Sequence, residues 1–307
     1  MTQERPKLLD RVRAAIRARH YSRRTEEAYV YWIRRYIFFH GKRHPIELGA
    51  DHITAFLTSL ATEESVAAST QNQAFSALTF LYRDVLRQDP GVIEHAPRAK
   101  SPVRVPVVLS VDEVRCVLAH MSGTAWLVAS LLYGAGLRLQ ECLELRVKDL
   151  DFDRREITVR RGKGQKDRRV MLPETLRDVL CRHLESVRQA HQADVAAGFG
   201  RVVLPDALER KFPHAPIEWH WQFAFPAARI CRDPRFGPPS RYHLHESVIQ
   251  RAVTDAARRA GIAKRASCHT FRHYAGSRTM PSDGRFAFGV GPKLHLETGN
   301  ATRDRAA

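Results

Sequence analysis

A chain of 307 residues with 44% hydrophobic content carries 50 lysines and arginines against 33 aspartates and glutamates, a formal net charge of +17. That length allows two ordinary domains with separate cores, and the apolar content excludes wholesale disorder. The basic excess points to a nucleic-acid partner, although ribosomal or membrane-surface partners give the same balance, and no apolar run is long enough to span a bilayer. Five cysteines (Cys116, Cys142, Cys181, Cys231, Cys268) form no CxxC pair, so neither a zinc site nor a disulfide framework is indicated and a reduced, cytoplasmic setting is expected. The start, MTQERPKLLDRVRAAIRARH, is too charged for a signal peptide, while its Arg-rich amphipathic pattern also fits a targeting helix.

Residues 1–88 read as a helical bundle. Leu8, Leu9, Val12, Ala15 and Ile16 fall on one helical face. A second helix opens at Thr25, with Ala28, Tyr29, Trp32, Ile33, Tyr36 and Ile37 as an apolar stripe and Arg34 and Arg35 off it; these aromatics are expected in the core. Asp51 is placed to cap a third helix with Ile53, Phe56, Leu57 and Leu60 inward, and Ser69 a fourth with Phe75, Leu78, Leu81, Tyr82 and Val85 inward. Residues 89–106 contain Pro90, Gly91, Pro97, Pro102 and Pro106 among basic residues, the pattern of an extended linker.

A second domain is expected over 107–273. Ser110 and Glu113 form an S-x-x-E capping box ahead of Val114, Val117 and Leu118. From Asp151 to Pro173 the pattern alternates, with Ile157 and Val159, the turn Gly162-Lys163-Gly164, then Val170 and Leu172, which predicts a basic β-hairpin within a small sheet. Helices resume over Glu174–Ala190 and Val248–Ala260, separated by a stretch rich in proline and aromatics from Leu204 to Tyr242. The fold class is therefore mainly α with a small antiparallel β-sheet.

Several residues carry candidate chemistry. Cleaving a phosphodiester without a metal requires positive charge around the phosphorane, and arginine forks match phosphate geometry. Arg138 lies in LLYGAGLRLQECLELRVKDLD, just after Gly134 and Gly136, where glycines serve either a close backbone approach to a ligand or a plain turn between helices. His269 and Arg272, in CHTFRH, share one helical face. Lys163, at the tip of the hairpin, is either a general acid reaching a DNA groove or a solvated turn lysine.

Taken in order, GLRLQECLEL, RRGKGQKDRRVMLP and CHTFRH resemble the catalytic domain of tyrosine recombinases, and the resemblance spans roughly Leu8 to His273. It implies that Arg138, Lys163, His269 and Arg272 clamp and protonate a scissile phosphate, that Glu141 orients Arg138, and that Lys166 and Arg168 contact DNA. It further implies a helical core-binding domain which, with the catalytic domain, forms a C-shaped clamp on DNA. A synaptic homotetramer is implied as well, with no cofactor and no membrane.

The segment KFPHAPIEWHWQFAFPAARICRDPRFGPPSRYHLHESVIQRA, within an insert at about 204–246, is similar to that of integron integrases, with its W-x-W-Q-x-x-F-P core and His-rich end. Aromatic, imidazole and proline surfaces suit stacking on unpaired bases. The resemblance implies that Trp221, Pro234, Tyr242 and His243 grip extrahelical bases of a folded single-stranded attachment site; Tyr242 stands where relatives more often carry a basic residue or His. His243, His245 and Glu246 also admit a metal reading, but no remote ligand of matching type accompanies them, so no metal is expected.

After His273 the resemblance stops. Residues 274–307 contain five glycines and two prolines, and Tyr274 is the last tyrosine, two positions past Arg272 and so off the face shared with His269. His295 lacks the glycine that precedes the family's second histidine. No nucleophile is found, and a frameshift, truncation or fusion is the simplest account of this tail. The expected function is that of an integron integrase that integrates gene cassettes by site-specific recombination, here binding DNA without cleaving it. The alternatives are an active enzyme with an unrecognised nucleophile, a non-enzymatic DNA-binding regulator and, more remotely, a metal nuclease.

Overall fold

The computed structural model describes residues 7–88, 107–160, 166–205, 208–232 and 238–277. The expected linker at 89–106, the hairpin tip with Lys163, Pro234 and residues 278–307 lie outside the described residues. Two compact units divide the chain, Met1–Arg104 and Val105–Ala307.

The first unit holds α1 (Leu8–Ala18), α2 (Arg23–Phe39), α3 (Ala50–Thr62) and α4 (Ala68–Phe80), which continues as a π-helical turn over Leu81–Leu86. Val12, Ile16, Trp32, Ile33, Tyr36, Phe56 and Leu78 are buried in one cluster. Helix starts differ from the sequence expectation. Ser22, not Thr25, caps α2, its hydroxyl accepting the Thr25 N–H at 3.2 Å. Before α3 it is the Gly49 N–H that donates to His52 Nδ1, at 3.2 Å, so Asp51 falls within the helix and not at its cap. The fourth helix starts at Ala68, one position ahead of Ser69, with Ala67 as its cap residue. Inside the bundle the Tyr82 hydroxyl lies 3.0 Å from the Pro45 carbonyl and 3.1 Å from that of Leu48, and the Tyr36 and Tyr82 hydroxyls are 2.9 Å apart. With Tyr82 donating to a carbonyl, Tyr36 donates to Tyr82, and both buried hydroxyls are satisfied.

The second unit opens on α5 (Val111–Ala119), whose expected capping box is formed: Glu113 N–H to Ser110 Oγ at 3.1 Å, and Ser110 N–H to Glu113 Oε2 at 2.7 Å. The apolar α6 (Gly123–Gly134) runs through the core and the short α7 (Leu139–Leu143) follows it. Strands β1 (Leu150–Asp151), β2 (Glu156–Val159) and β3 (Arg168–Met171) form a three-stranded antiparallel sheet in the order β1-β2-β3, with Ile157 opposite Val170. Then come α8 (Glu174–Ala196), α9 (Leu208–Lys211), α10 (Glu246–Arg259) and α11 (Cys268–Ser277). The long α8 extends past the expected end at Ala190, and α11 continues beyond His273 into the stretch expected to be tail. Among the described residues no helix is long and apolar enough to cross a membrane.

Glycines between α6 and α7 serve the turn. Gly136 has φ +63°, a left-handed conformation that side chains disfavour. At Gly134 an added Cβ would sit 2.7 Å from Pro173 Cγ, so this glycine lets the end of α6 touch the start of α8.

Candidate active site

Glu141 is the centre of the site. It lies in the first turn of α7 with its side chain 9% exposed, and three arginines from separate elements converge on it. Arg138, at the helix N-cap, donates its backbone N–H to Oε2 at 2.8 Å and its Nη1 to Oε1 at 2.5 Å. From β3, Arg168 makes a bidentate pair, Nη1 to Oε1 at 2.9 Å and Nη2 to Oε2 at 2.6 Å. Arg272, from α11, places Nη1 3.6 Å from Oε2, beyond hydrogen-bond length, and that buried nitrogen has no hydrogen-bond partner.

Burial pushes the Glu141 carboxyl up, but hydrogen bonds from Arg168 and from the backbone and side chain of Arg138 outweigh it and hold the group at about 2. The Arg168 guanidinium is raised by the same bonds. Arg272 is lowered, first by burial and then by the charge of Arg138. One carboxylate thus faces three guanidiniums, and the surplus positive charge makes the cluster receptive to an anion. His269 is exposed on α11, one turn before Arg272.

Beside this cluster lies a cavity of about 450 Å³ that runs from Glu141 to the expected insert, lined among others by Arg146, Lys148, Arg160, Trp221, Tyr242 and His243. The insert attaches by backbone pairing: Val147 N–H donates to Gln222 O at 3.0 Å and Ala224 N–H to Leu145 O at 2.8 Å. Arg146 is its anchor. Its Nη1 donates to the Trp221 carbonyl at 2.6 Å and its Nη2 to that of Val203 at 2.9 Å, and the guanidinium lies 4.5 Å from the Phe223 ring centre. Burial pushes this guanidinium down, and the neighbouring Asp149 partly offsets that effect. Asp149 accepts the Arg146 N–H at 2.9 Å and Arg160 Nε at 2.6 Å. A second clamp joins Arg241 to Asp194 on α8 and to the Ala227 carbonyl.

The expected base-gripping residues meet here in part. The Tyr242 and His243 ring centres lie 4.4 Å apart with the planes tilted by 38°, and Phe223 stands edge-on to both. His243 Nδ1 faces the Leu244 carbonyl at 2.8 Å, which places its proton there and leaves Nε2 to accept from Gln140 Nε2 at 3.3 Å. Trp221 already has a cation on its face, Lys148 Nζ at 2.8 Å from the ring centre. Burial, followed by the charge of Arg160, lowers that ammonium to about 8. Lys166 is exposed and makes no part of the Glu141 cluster. Arg168, expected at the DNA, instead spends two donors on Glu141.

Sequence reasoning missed Arg146, Lys148, Asp149 and Arg160. Arg146, Lys148 and Asp149 lie in the charged, largely buried run ELRVKDLD that follows α7, and Arg160 comes just after β2, but nothing in that run's periodicity marks Arg146 as the residue on which a segment dozens of positions away closes. Among the described residues no group of three His, Cys, Asp or Glu is placed to hold a metal.

Comparison with known proteins adds the following. Residues 8–91 match the phage integrase N-terminal SAM-like domain and residues 108–283 match the phage integrase family. An Escherichia coli protein named integrase/recombinase is 48% identical over 267 residues, covering 87% of this chain and 79% of its own length. Among solved structures, a lambda integrase (75–356) dimer bound to a COC′ core site superposes with a TM-score of 0.56 at 16% identity, over 87% of this chain and 86% of that one. A lambda integrase tetramer bound to a Holliday junction gives the same TM-score and identity, over 94% and 79%. At such identities the likeness to the structures establishes the fold alone.

Proposed function

The chain belongs to the phage integrase family of tyrosine recombinases, and from that premise we propose that it engages integron attachment sites and grips their phosphate backbone without cleaving it. The observation that carries this reading is the Glu141 cluster, in which Arg272 keeps a buried Nη1 without a hydrogen-bond partner. A phosphodiester oxygen is the kind of acceptor such a nitrogen lacks. In this reading Arg138 and Arg272 fork the scissile phosphate, His269 adds a donor from the same helical face, and Lys163 protonates the departing 5′-oxygen. Glu141 holds Arg138 in position.

The cavity between the cluster and the insert supports the integron reading. Its adjacent, mutually tilted Tyr242 and His243 rings, with Trp221 nearby, offer ring faces to bases that leave the helix of a folded single strand, and Pro234 is assigned to the same grip. Lys166 would meet backbone phosphates. Four copies are expected on a pair of sites in a synaptic complex.

Cleavage in this chemistry needs a tyrosine oxygen in line with the 5′-oxygen, and the phosphotyrosine conserves the bond energy for rejoining. Tyr274 is the last tyrosine in the sequence. It follows Arg272 by two positions on α11, about 200° round the helix axis. The test is incubation of the purified chain with a nicked suicide substrate, then denaturation in SDS. No covalent adduct is expected. An adduct that disappears in Tyr274→Phe overturns the reading, whereas one that arises only when a family-like ending with Gly-His and a later tyrosine is grafted after His273 supports it. A regulator that recognises DNA without the phosphate clamp would keep full affinity in the Arg138→Ala, Arg272→Ala double variant; loss of affinity is expected.

A further inference from the structure

The first unit has an aromatic face that the proposed function leaves unused. On α2, Tyr31, Phe38 and Phe39 are 54%, 52% and 45% exposed, although Trp32, Ile33 and Tyr36 of the same helix are buried. With Phe56, whose ring centre is 5.4 Å from that of Phe39, they line a groove of about 450 Å³ that also takes in Arg34, Arg35 and Glu64. Cations lie against the rings. Arg34 Cζ is 5.5 Å and Lys42 Nζ 5.6 Å from the centre of Phe38, and Arg35 Cζ is 5.8 Å from that of Tyr31. Arg35 is tied by an ion pair to Glu64.

Exposed aromatic rings that line one groove are candidates for a binding face, and their alternation with cations selects the ligand. A stacked duplex keeps its base faces covered, so aromatic platforms recognise unpaired bases, with basic side chains following the phosphates. A second copy of the chain, at a net charge of +17, would set cation against cation here, whereas a polyanion meets complementary charge. From Tyr31 to Phe38 the helix rises roughly 10 Å, enough for about three nucleotides stacked at roughly 3.4 Å each.

We propose that this face of α2 is a binding site for single-stranded DNA, on which unpaired bases stack against Tyr31, Phe38 and Phe39 while Arg34 and Lys42 neutralise the intervening phosphates. The site deepens the proposed function and rests on it, since a folded single strand supplies unpaired bases beyond those gripped by the insert.

The test uses the full chain and labelled oligothymidylate, with a duplex of equal length as control. The triple variant Tyr31→Ser, Phe38→Ser, Phe39→Ser should lose at least about tenfold in affinity for oligothymidylate, the size that removal of a stacked base commonly gives, with duplex affinity unchanged. A second measurement is independent of any variant: oligonucleotides bearing 5-iodouracil should photo-crosslink to the peptide that contains Tyr31 and Phe38. Unchanged single-strand affinity, equal loss on duplex, or crosslinks confined to Val105–Ala307 overturns the site. So does a wild-type dimer that the triple variant dissolves with no change in DNA affinity. Should the triple variant keep oligothymidylate binding while the wild type still grips a folded hairpin, this inference falls and the proposed function stands. A wild type that binds neither ligand defeats both.

Discussion

Glu141, within α7, and Arg146, just after it, stand close together in the chain, and each is a largely buried charge around which distant segments gather, yet they use their hydrogen bonds in opposite ways. Arg146 directs its guanidinium to two backbone carbonyls and lies against the Phe223 ring, so its donors find their partners within the unit. Glu141 collects three guanidiniums and cannot satisfy them all, leaving a buried nitrogen of Arg272 without a partner. A cluster completed from within holds structure together, while one with surplus donors is unfinished until an anion arrives.

The contrast breaks most visibly at Arg146. Arg146→Ala leaves the Trp221 and Val203 carbonyls without their buried donor, although Asp149 keeps Arg160 and the backbone N–H, and urea unfolding should show a loss of about 4 kcal/mol; a loss under about 1 kcal/mol would mean that the insert is anchored elsewhere. Next comes acid. Glu141 is held at about 2, below its ordinary range, so the stability it contributes is complete above about pH 4.5 and disappears as pH falls toward 2. That contribution is on the order of 3 kcal/mol, and Glu141→Gln should flatten the stability profile across this window. If wild type and variant lose stability in parallel, the pairing carries no net stabilisation.

Arg272→Met sharpens the comparison from the functional side. Removing a half-satisfied cation should leave the unfolding free energy within about 1 kcal/mol, while DNA affinity drops roughly tenfold and the slope of log K against log salt shrinks by about one. A large stability loss with unchanged salt slope would make Arg272 a second Arg146. The smallest effect belongs to Lys148. Its ammonium loses its proton near pH 8 directly over the Trp221 ring, so tryptophan emission should shift across that pH, and Trp221→Phe should abolish the shift. Because the folded group is depressed below an ordinary lysine, stability is expected to rise as pH climbs from about 8 to 10.5.

Much of this was legible in the sequence because it is local. The S-x-x-E box of Ser110 and Glu113, the stripe through Trp32 and Tyr36, and the alternation that gives β2 and β3 are governed by spacing along the chain. Helix starts were misjudged wherever a neighbour competed for the cap, as Ser22 did with Thr25. At the site, the ordered motifs brought Arg138, Glu141 and Arg272 to attention, but the placement of Arg168 on Glu141 depends on how the sheet packs against α7, which no periodicity records. Arg146 was illegible for the same reason. Tyr31, Phe38 and Phe39 escaped because apolar residues off the stripe carry no signal of exposure beyond their position on the helix.

The three arms of the Glu141 cluster also differ in when they become available to a chain leaving the ribosome. Arg138 is 3 residues away and pairs within a single turn; Arg168 is 27 away and arrives with the hairpin; Arg272 comes from the far end of the unit. Closing progressively longer loops costs entropy and slows assembly. The nearest partners of Glu141 along the chain can therefore reach it before the most distant one does. The arginine that joins last adds charge to a carboxylate already neutralised, so the anion-binding character of the site would develop only as the unit finishes folding, after the scaffold that must hold it is in place.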